Sequence, residues 1–395
     1  MRPKPGTKAN GLTADWKHPT EIRFGVGRSK ELPDICWKLG ICCPLLVTDA
    51  GVAKLPFIKR IKRRNREESI ETGMFCELAS EPDAASVNKG ALLFRKGGFD
   101  GIIAVGGGSA LDAGKAISLA AAVGPSGIWS YAATNPYPPA TSRRIHPLVA
   151  VPTTSGTGSE VDANAVITDP GSQRKISLYH PELLPKVVVA DPQLTRGLIP
   201  YLTASTGMDA LSHNLEALCS PLFHPILDAV ALQGIAYIKD WLPLACTQGK
   251  RLQPRVFTMA ASIMGAIAFE KGLGAMHAIA HAIGGSFKIN HGRAVGAIMP
   301  YVLKMNRTRI REKMGHVARY LDLPHHDFDA VLNWVVELRR DLGMPSSLKM
   351  LGVRKEDVPD LVRLTLEDVN LGTNPLELNE RRVRRLLLNA VEGKL

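Results

Sequence analysis

The sequence predicts an α/β domain with a mostly parallel sheet, followed by an all-helical domain. Three observations predict this fold class. The chain has 395 residues, which favours two domains at typical sizes of roughly 100–200 residues. Short apolar runs alternate with helical stretches up to about residue 195, and strand signals stop from about Thr203 onward. We therefore expect the two domains to span 1–197 and 198–395.

Each predicted strand is a short apolar run with β-branched residues, bounded by a turn that carries Gly or Asp. Such continuous runs are typical of a parallel sheet covered on both faces. The clearest strands are Pro44–Thr48, Gly101–Val105, Leu148–Pro152, Ala165–Thr168 and Val187–Ala190. In the second half, apolar residues recur at helical spacing. The predicted helices are Ala204–Leu218, Ile226–Trp241, Val256–Phe269, Ala275–Phe287 and Asp327–Leu342.

Composition excludes several classes of protein. With 45% apolar and 22% charged residues, the chain can bury a large core, which excludes a disordered or fibrous protein. No apolar run reaches the ~20 residues of a membrane helix and the N-terminus lacks a secretory signal, so we expect a soluble cytoplasmic protein. Six cysteines without a CxxC pair argue against a disulfide scaffold and a cysteine-built zinc site. A metal site would therefore need His and carboxylate ligands.

The chain is basic, with 49 Lys and Arg against 37 Asp and Glu. Much of the excess lies in two clusters, at 59–66 and 381–385. Such clusters can attract nucleic acid, but neither interleaves the aromatic residues that stack on bases. The alternative is a solvated helix face. We expect neither a nucleic-acid partner nor a membrane partner.

A glycine-rich turn, Gly-Gly-Gly-Ser at 106–109, follows the predicted strand Gly101–Val105 and precedes a helix-forming sequence. Free N–H groups at such a helix N-terminus bind phosphate, so a pyrophosphate is the natural ligand. The turn is not a P-loop, which would need Gly at 109 and Ser or Thr at 116. It is not a GxGxxG fingerprint either, because Leu111 stands where Gly or Ala is required. An ordinary βα turn is the alternative.

Polar groups follow two other predicted strands. The segment Thr153–Glu160 is dense in hydroxyl groups, and Asp49 follows Pro44–Thr48. The carboxyl ends of parallel strands form the edge where open α/β sheets bind ligands. Asp49 can accept hydrogen bonds from a ribose diol and repel a 2′-phosphate, which favours NAD over NADP. An ordinary Asx turn is the alternative.

The helical half carries two pairs of potential metal ligands. Asp209 and His213 are four residues apart, as are His277 and His281, and His291 follows. Residues at this spacing share one face of a helix. One carboxylate with two or three imidazoles suits Fe²⁺ or Zn²⁺. The HExxH pattern of metalloproteases is absent, since position 278 is Ala. A hydrogen-bonded core histidine is the alternative for any one of them.

Several long motifs resemble those of the iron-containing (group III) alcohol dehydrogenases, in the same order and over nearly the whole chain. The motifs are FGVG at 24–27, DGIIAVGGGSALDAGKAIS at 100–118, PTTSGTGSEVDANAVITD at 152–169, TGMDALSHNLEA at 206–217, GLGAMHAIAHAIGG at 272–285 and TNP at 373–375. The resemblance implies the dehydroquinate synthase-like fold: an N-terminal dinucleotide-binding α/β domain, an all-helical C-terminal domain and a catalytic cleft between them.

The resemblance also implies roles for residues at the matching positions. The metal ligands would be Asp209, His213, His277 and His291, with His281 as a candidate proton relay. The cofactor contacts would be Asp49, Gly106, Gly107, Gly108, Ser109, Thr153, Thr154, Thr157 and Lys175. Asn164 is a candidate for the cleft wall. The implied reaction is hydride transfer between NAD and a primary alcohol or aldehyde bound to Fe²⁺, with Zn²⁺ as the alternative ion, in a homodimer or larger assembly.

The chain departs from the family pattern before the first paired histidine, where many members carry Phe-Ser-Asn and this chain has Ala268-Phe269-Glu270-Lys271. Lys271, with Arg293 just after His291, can contact an anionic group on the substrate, such as that of a hydroxy acid or its semialdehyde. An ion pair with Glu270 or an outward-facing charge is the alternative.

Rival enzymes of related fold are glycerol dehydrogenase, maleylacetate reductase and dehydroquinate synthase. A non-catalytic nucleic-acid binder is the rival from another class.

Overall fold

The computed structural model describes residues 20–78, 82–141, 143–169, 171 and 174–395. Within these residues the chain forms two compact units, 20–197 and 198–395. The first unit is α/β and the second is helical. The fold class predicted from the sequence is therefore confirmed. Most of the N-terminus, in which the sequence predicts no secretory signal, lies outside the described residues.

The first unit contains a six-stranded parallel sheet and a separate two-stranded sheet. The strands in chain order are β1 (Glu21–Phe24), β2 (Pro44–Val47), β3 (Gly73–Phe75), β4 (Gly101–Gly106), β5 (Leu148–Pro152), β6 (Asn164–Asp169), β7 (Arg174–Tyr179) and β8 (Val187–Ala190). The large sheet has the order β1-β8-β5-β4-β2-β3. Strands β2, β4, β5 and β8 are buried along their whole length, as expected for a sheet covered on both faces.

The strand order reverses at β2. The chain passes from β2 to β3 on one side and then crosses back to β4 on the other side of β2. In open α/β sheets, ligands bind outside the carboxyl ends of the strands at such a switch point. The residues that follow β2 and β4 are therefore in the position expected of a nucleotide site.

Four α-helices belong to the first unit: α1 (Leu32–Lys38), α2 (Pro56–Glu67), α3 (Ala84–Lys96) and α4 (Gly108–Val123). Within α4, the Lys115 side chain is fully buried. Its Nζ atom donates hydrogen bonds to Ser159 Oγ at 2.9 Å and to the Asn164 carbonyl at 2.6 Å. These bonds join α4 to the loop after β5 and to the start of β6.

The predicted strand Ala165–Thr168 lies in β6, which pairs with β7 in an antiparallel hairpin. It is not part of the parallel sheet. Ala165 and Ile167 are buried, whereas their neighbours are partly exposed. This alternation is typical of an antiparallel strand with one solvated face.

Eight α-helices form the second unit: α5 (Pro200–Cys219), α6 (Pro225–Thr247), α7 (Leu252–Ala268), α8 (Ala275–Phe287), α9 (His291–Tyr320), α10 (Phe328–Asp341), α11 (Val358–Leu366) and α12 (Glu380–Glu392). Helix α5 packs against α6, α7 and α9. Two glycines permit close packing on α5. A Cβ atom on Gly234 of α6 would lie 2.1 Å from Asn214 Oδ1, and one on Gly265 of α7 would lie 3.0 Å from His213 Cβ.

Every predicted strand and helix overlaps an observed one, but several observed elements have no individual counterpart among the predictions. These are β1, β3, β7, α1, α2 and α3 in the first unit and α9, α11 and α12 in the second. The sequence also predicts that no apolar run is long enough to cross a membrane. By length and composition alone, the helical segment Leu252–Lys271 is long and apolar enough, and more than half of its most apolar part is buried inside the protein. Burial in a helical core also produces this composition.

Both basic clusters lie on amphipathic helices. Helix α2 buries Phe57, Ile58 and Ile61, and α12 buries Val383 and Leu386. The opposite faces carry the exposed basic residues Lys59, Arg60, Arg63, Arg64, Arg66, Arg381, Arg382 and Arg385. The structure therefore gives both clusters the form of solvated helix faces.

Candidate active site

Three helices of the second unit bring one carboxylate and three imidazoles together. Asp209 and His213 lie one turn apart on α5, His277 lies on α8, and His291 is the first residue of α9. Asp209 Oδ1 lies 3.9 Å from His213 Nε2, 3.9 Å from His277 Nε2 and 3.5 Å from His291 Nε2. Asp209, His213 and His277 are buried, whereas the His291 side chain is 28% exposed. These are the four residues that the sequence analysis proposed as metal ligands.

Glycine allows α9 to begin close to α5. A Cβ atom on Gly292 would lie 2.1 Å from the backbone oxygen of Ser205, so no larger residue fits without moving a helix. The preceding Asn290 caps α9 by accepting a hydrogen bond from the Arg293 N–H at 3.3 Å, and its Oδ1 atom also contacts Ser205 Oγ. This close approach places His291 near Asp209.

The chemistry of this cluster fits a divalent cation. Asp209 Oδ1 and His277 Nε2 are buried, and neither has a hydrogen-bond partner within the described residues. Burial raises the pKa of Asp209 to about 7, while burial and the charge of His281 lower the pKa of His277 to about 3. Neutral imidazole is the form that binds metals, and a cation stabilises a buried carboxylate. One carboxylate oxygen and three imidazole nitrogens suit Fe²⁺ or Zn²⁺.

Two residues that the sequence analysis did not single out contact the histidines. The first is Glu216, whose Oε2 atom lies 2.7 Å from His277 Nδ1. Burial raises the pKa of Glu216 to about 8, although hydrogen bonds from backbone N–H groups act in the opposite direction. Glu216 lies seven residues after Asp209 and three after His213, so its helical spacing was a usable signal.

The second is Asp368, whose Oδ2 atom lies 2.9 Å from His281 Nδ1. Burial acts to raise the pKa of Asp368, but hydrogen bonding and charge from His281, with hydrogen bonds from Asn370, lower it overall. The His281 ring lies 5.4 Å from the His291 ring, and its side chain is 34% exposed. Asp368 therefore orients the His281 ring, and solvent can reach its side chain. Asp368 precedes a short 3₁₀ helix, Val369–Thr373, and no periodic pattern reveals it.

In the first unit, the predicted nucleotide-binding residues gather at the switch point. Asp49 Oδ1 accepts hydrogen bonds from the N–H groups of Gly51 at 2.8 Å and Val52 at 2.9 Å, so the Asx turn considered as the alternative does form. Its other carboxylate oxygen faces the turn after β4, because a Cβ atom on Gly106 would lie 3.7 Å from Oδ2.

The glycines of this turn lie against the hydroxyl-rich loop after β5. A Cβ atom on Gly107 would lie 3.3 Å from Thr154, and one on Gly108 would lie 2.8 Å from Thr157. The Thr153 N–H donates to the Gly106 carbonyl at 2.9 Å. Ser109 follows Gly108 within the first turn of α4, and within the described residues that helix has no side-chain cap. The glycines thus line a cradle that a side chain would fill, which fits a pyrophosphate.

Two other predicted contacts lie on the β6–β7 hairpin. Lys175 is on β7 opposite Thr168. Asn164 is the first residue of β6. Its side-chain nitrogen donates a hydrogen bond to Asp162 at 2.7 Å, and its side-chain oxygen accepts one from Ser177 Oγ at 3.0 Å. These bonds give Asn164 a local structural role.

The two basic residues predicted to contact a substrate anion do not share a partner. Lys271 is 2% exposed, and its ammonium group forms an ion pair with Asp228 of α6. A buried ammonium requires such a partner, and the partner is not the Glu270 considered in the sequence analysis. Lys271 is therefore withdrawn as a substrate contact. Arg293 lies over the Tyr201 ring at 5.3 Å, and its Nε atom is buried without a hydrogen-bond partner in the described part of the chain.

Comparison with known proteins agrees with this site. The sequence model for the iron-containing alcohol dehydrogenases matches residues 19–192, and the model for the C-terminal region of that family matches residues 203–391. The chain belongs to the iron-containing alcohol dehydrogenase family. It is an oxidoreductase that acts on CH–OH groups.

Individual relatives align along nearly their full length. The 4-hydroxybutyrate dehydrogenase of Cupriavidus necator is 36% identical over 93% of this chain and 97% of that protein. A crystal structure of 1,3-propanediol oxidoreductase is 33% identical, covers 95% of this chain and 99% of its own, and has a TM-score of 0.89. The sulfoacetaldehyde reductase of Bifidobacterium kashiwanohense, solved in complex with NAD⁺, is 29% identical, with coverages of 96% and 99% and a TM-score of 0.87.

Proposed function

We propose that this protein is a metal-dependent, NAD-linked alcohol dehydrogenase that also works in reverse as an aldehyde reductase. The observation that carries the proposal is the cluster of three imidazole Nε2 atoms within 3.5–3.9 Å of one carboxylate oxygen of Asp209. Asp209 Oδ1 and His277 Nε2 are buried and have no hydrogen-bond partner in the described part of the chain, which supports the same assignment.

Asp209, His213, His277 and His291 would hold the ion, for which we propose Fe²⁺, with Zn²⁺ as the alternative. When bound, the ion polarises the substrate oxygen, lowers the pKa of the alcohol and stabilises the negative charge that accompanies hydride transfer. We assign the movement of the alcohol proton to His281. Its Nδ1 atom donates to Asp368, which leaves Nε2 as the proton acceptor.

For the cofactor, the cradle of Gly107 and Gly108 would bind the pyrophosphate, and Asp49 would meet the adenosine ribose. The Asx turn holds the Asp49 carboxylate in place, and its charge disfavours the 2′-phosphate of NADP. The complex of the sulfoacetaldehyde reductase with NAD⁺ also supports this choice. Lys175 remains a proposed contact for the nicotinamide-side ribose.

A second candidate is a more specific substrate class, an alcohol or aldehyde that carries an anion. Arg293 favours this substrate class. It lies two residues after the proposed ligand His291, and its buried Nε–H group has no hydrogen-bond partner within the described residues. The names of two relatives, a 4-hydroxybutyrate dehydrogenase and a sulfoacetaldehyde reductase, refer to substrates of this kind. Glycerol dehydrogenase and maleylacetate reductase activities are the alternatives.

A homodimer or larger assembly and a cytoplasmic location remain predictions.

The test is a substrate panel on anaerobically purified, Fe²⁺-loaded protein, followed by NADH absorbance. We expect NADH formation with primary alcohols, NADH consumption with aldehydes and weaker activity with NADPH. H213A should lose both metal and turnover but still bind NAD⁺, and full activity in H213A would contradict the ligand assignment. Higher kcat/KM on ω-hydroxy acids than on straight-chain alcohols, lost in R293A, would support the anionic class. Equal values would refute it.

A further inference from the structure

We propose that Glu216 is a positioning residue for the metal centre: it holds the N-terminus of α8 and fixes His277 in the tautomer whose Nε2 atom is free to bind the ion. This inference rests on the proposed function, because it concerns the same metal centre. It goes beyond that function by assigning a role to a residue outside the proposed ligand set.

The start of α8 is held by side chains from other parts of the chain. The first N–H groups of a helix have no partner within the helix and need acceptors from elsewhere. The residue that precedes α8 is Gly274, which has no side chain to serve as a cap. Instead, Glu216 accepts from the Gly274 N–H at 2.9 Å and from the Met276 N–H at 2.6 Å. Asn374 accepts from the Ala275 N–H at 3.2 Å.

The contact with Glu216 fixes the tautomer of His277. Its Nδ1 atom lies 2.7 Å from the Glu216 oxygen that also accepts from Gly274. Both Glu216 oxygens already accept hydrogen bonds from backbone N–H groups, which favours the ionised carboxylate over the protonated form that burial favours. An ionised carboxylate only accepts hydrogen bonds, so Nδ1 carries the proton and donates it. In neutral imidazole the other nitrogen, Nε2, then has a free lone pair. That atom faces Asp209 and has no hydrogen-bond partner within the described residues.

The chain before His277 is closely packed against its hydrogen-bond acceptors. A Cβ atom on Gly274 would lie 2.9 Å from both Glu216 Oε1 and Asn374 Oδ1, so the backbone is in close contact with both acceptors. Asn374 is held by reciprocal amide hydrogen bonds with Asn306, each 3.1 Å long. The TNP motif at 373–375, which the sequence analysis left without a role, therefore joins Glu216 in fixing the chain before His277.

The test is E216Q, which keeps the size and shape of the side chain. Glutamine presents an NH₂ group at one of the two oxygen positions. If that group faces His277, the ring must move its proton from Nδ1 to Nε2, the nitrogen that should bind the ion. Loss of such an outer partner weakens metal binding about 10–100-fold. We expect that weakening for Zn²⁺ in competition with a chelator, while the dissociation constant for NAD⁺ changes less than about twofold.

The second readout uses metal-free wild-type protein and ¹⁵N NMR of the histidine rings. We expect His277 to carry its proton on Nδ1 in the wild type and on Nε2 in E216Q. This measurement does not depend on metal binding, so it separates failure of the inference from failure of the proposed function. It also decides the matter alone if E216Q does not fold. A wild-type His277 protonated on Nε2 would overturn the inference.

The matched control is D228N, which removes a carboxylate with 15% side-chain exposure from the same unit and leaves Lys271 unpaired. Breaking such a pair costs stability, but Asp228 does not contact the four proposed ligands in the described structure. D228N should therefore bind Zn²⁺ with wild-type affinity. Wild-type affinity in an E216Q variant whose His277 has moved its proton to Nε2, or an equal loss in D228N and E216Q, would also overturn the inference.

Discussion

Replacing Gly292 by alanine should weaken metal binding strongly, although Gly292 is not one of the proposed ligands. The new methyl group would lie 2.1 Å from the backbone oxygen of Ser205 and 2.7 Å from its carbonyl carbon. Both atoms belong to α5, so they cannot rotate away as a side-chain end can. The two helices must separate by about 1 Å before the contact becomes tolerable. Overpacking of this kind typically costs about 1–3 kcal/mol of stability.

The affinity for the metal should fall as well as the stability. His291 precedes Gly292, and its Nε2 atom lies 3.5 Å from Asp209 Oδ1. Metal–ligand distances tolerate only about 0.2 Å, so a shift of about 1 Å would remove His291 from the ligand set. We expect the Zn²⁺ dissociation constant of G292A to rise at least as much as the ~10–100-fold that loss of an outer partner causes. Competition with a chelator measures it.

G285A is the matched control, since Gly285 lies on α8 in the same unit. A Cβ atom there would meet nothing within 4 Å in the described structure. Alanine also favours helix by about 1 kcal/mol over glycine. G285A should therefore keep wild-type metal affinity with unchanged or increased stability. Wild-type metal affinity in G292A would refute the reasoning, because it would show that the approach of α9 to α5 does not set the position of His291.

Two further predictions concern the first unit. G108A should weaken NAD⁺ binding at least about tenfold, measured by titration calorimetry, because its methyl group would lie 2.8 Å from Thr157 in the proposed cradle. Its metal content should not change. Burial raises the pKa of Glu160 from 4.5 to about 7, so the charge opposes folding and stability should fall as pH rises from about 4.5 to 7. The loss in the free energy of unfolding is about 3 kcal/mol at pH 8, and E160Q should remove it. Urea unfolding measures this free energy.

Each of these predictions has a contradicting result. Wild-type NAD⁺ affinity in G108A would show that the glycine turn is an ordinary βα turn. For Glu160 the sign is specific: E160Q should match the wild type near pH 4, where both side chains are neutral, and exceed it at pH 8. A variant less stable than the wild type at pH 8 would show that the ionised carboxylate is stabilising, through Lys115 or another partner.

The predictable parts of this protein are those that local sequence specifies. Helix α8 has the predicted bounds, Ala275–Phe287, because its apolar periodicity is uninterrupted and glycines precede it. The i,i+4 spacing of Asp209 with His213 likewise places two candidate ligands on one face before any tertiary contact is known. Buried parallel strands such as β5 were found with the correct bounds because they are continuous apolar runs.

The parts that were missed depend on contacts distant in sequence. Glu216 and His277 are 61 residues apart, and Asp368 and His281 are 87 apart, so no local pattern links them. Lys271 was assigned to a substrate because its partner Asp228, 43 residues away, was not visible in the sequence. Helix α9 escaped prediction because it contains Pro300, which normally interrupts a helix.

The most direct test of the metal centre is a crystal structure of anaerobically prepared, Fe²⁺-loaded protein, with anomalous scattering at the iron edge. We predict one iron per chain, bound by a carboxylate oxygen of Asp209 and by Nε2 of His213, His277 and His291 at about 2.0–2.2 Å. An ion bound elsewhere, or these four side chains directed away from one another in the loaded protein, would contradict the account.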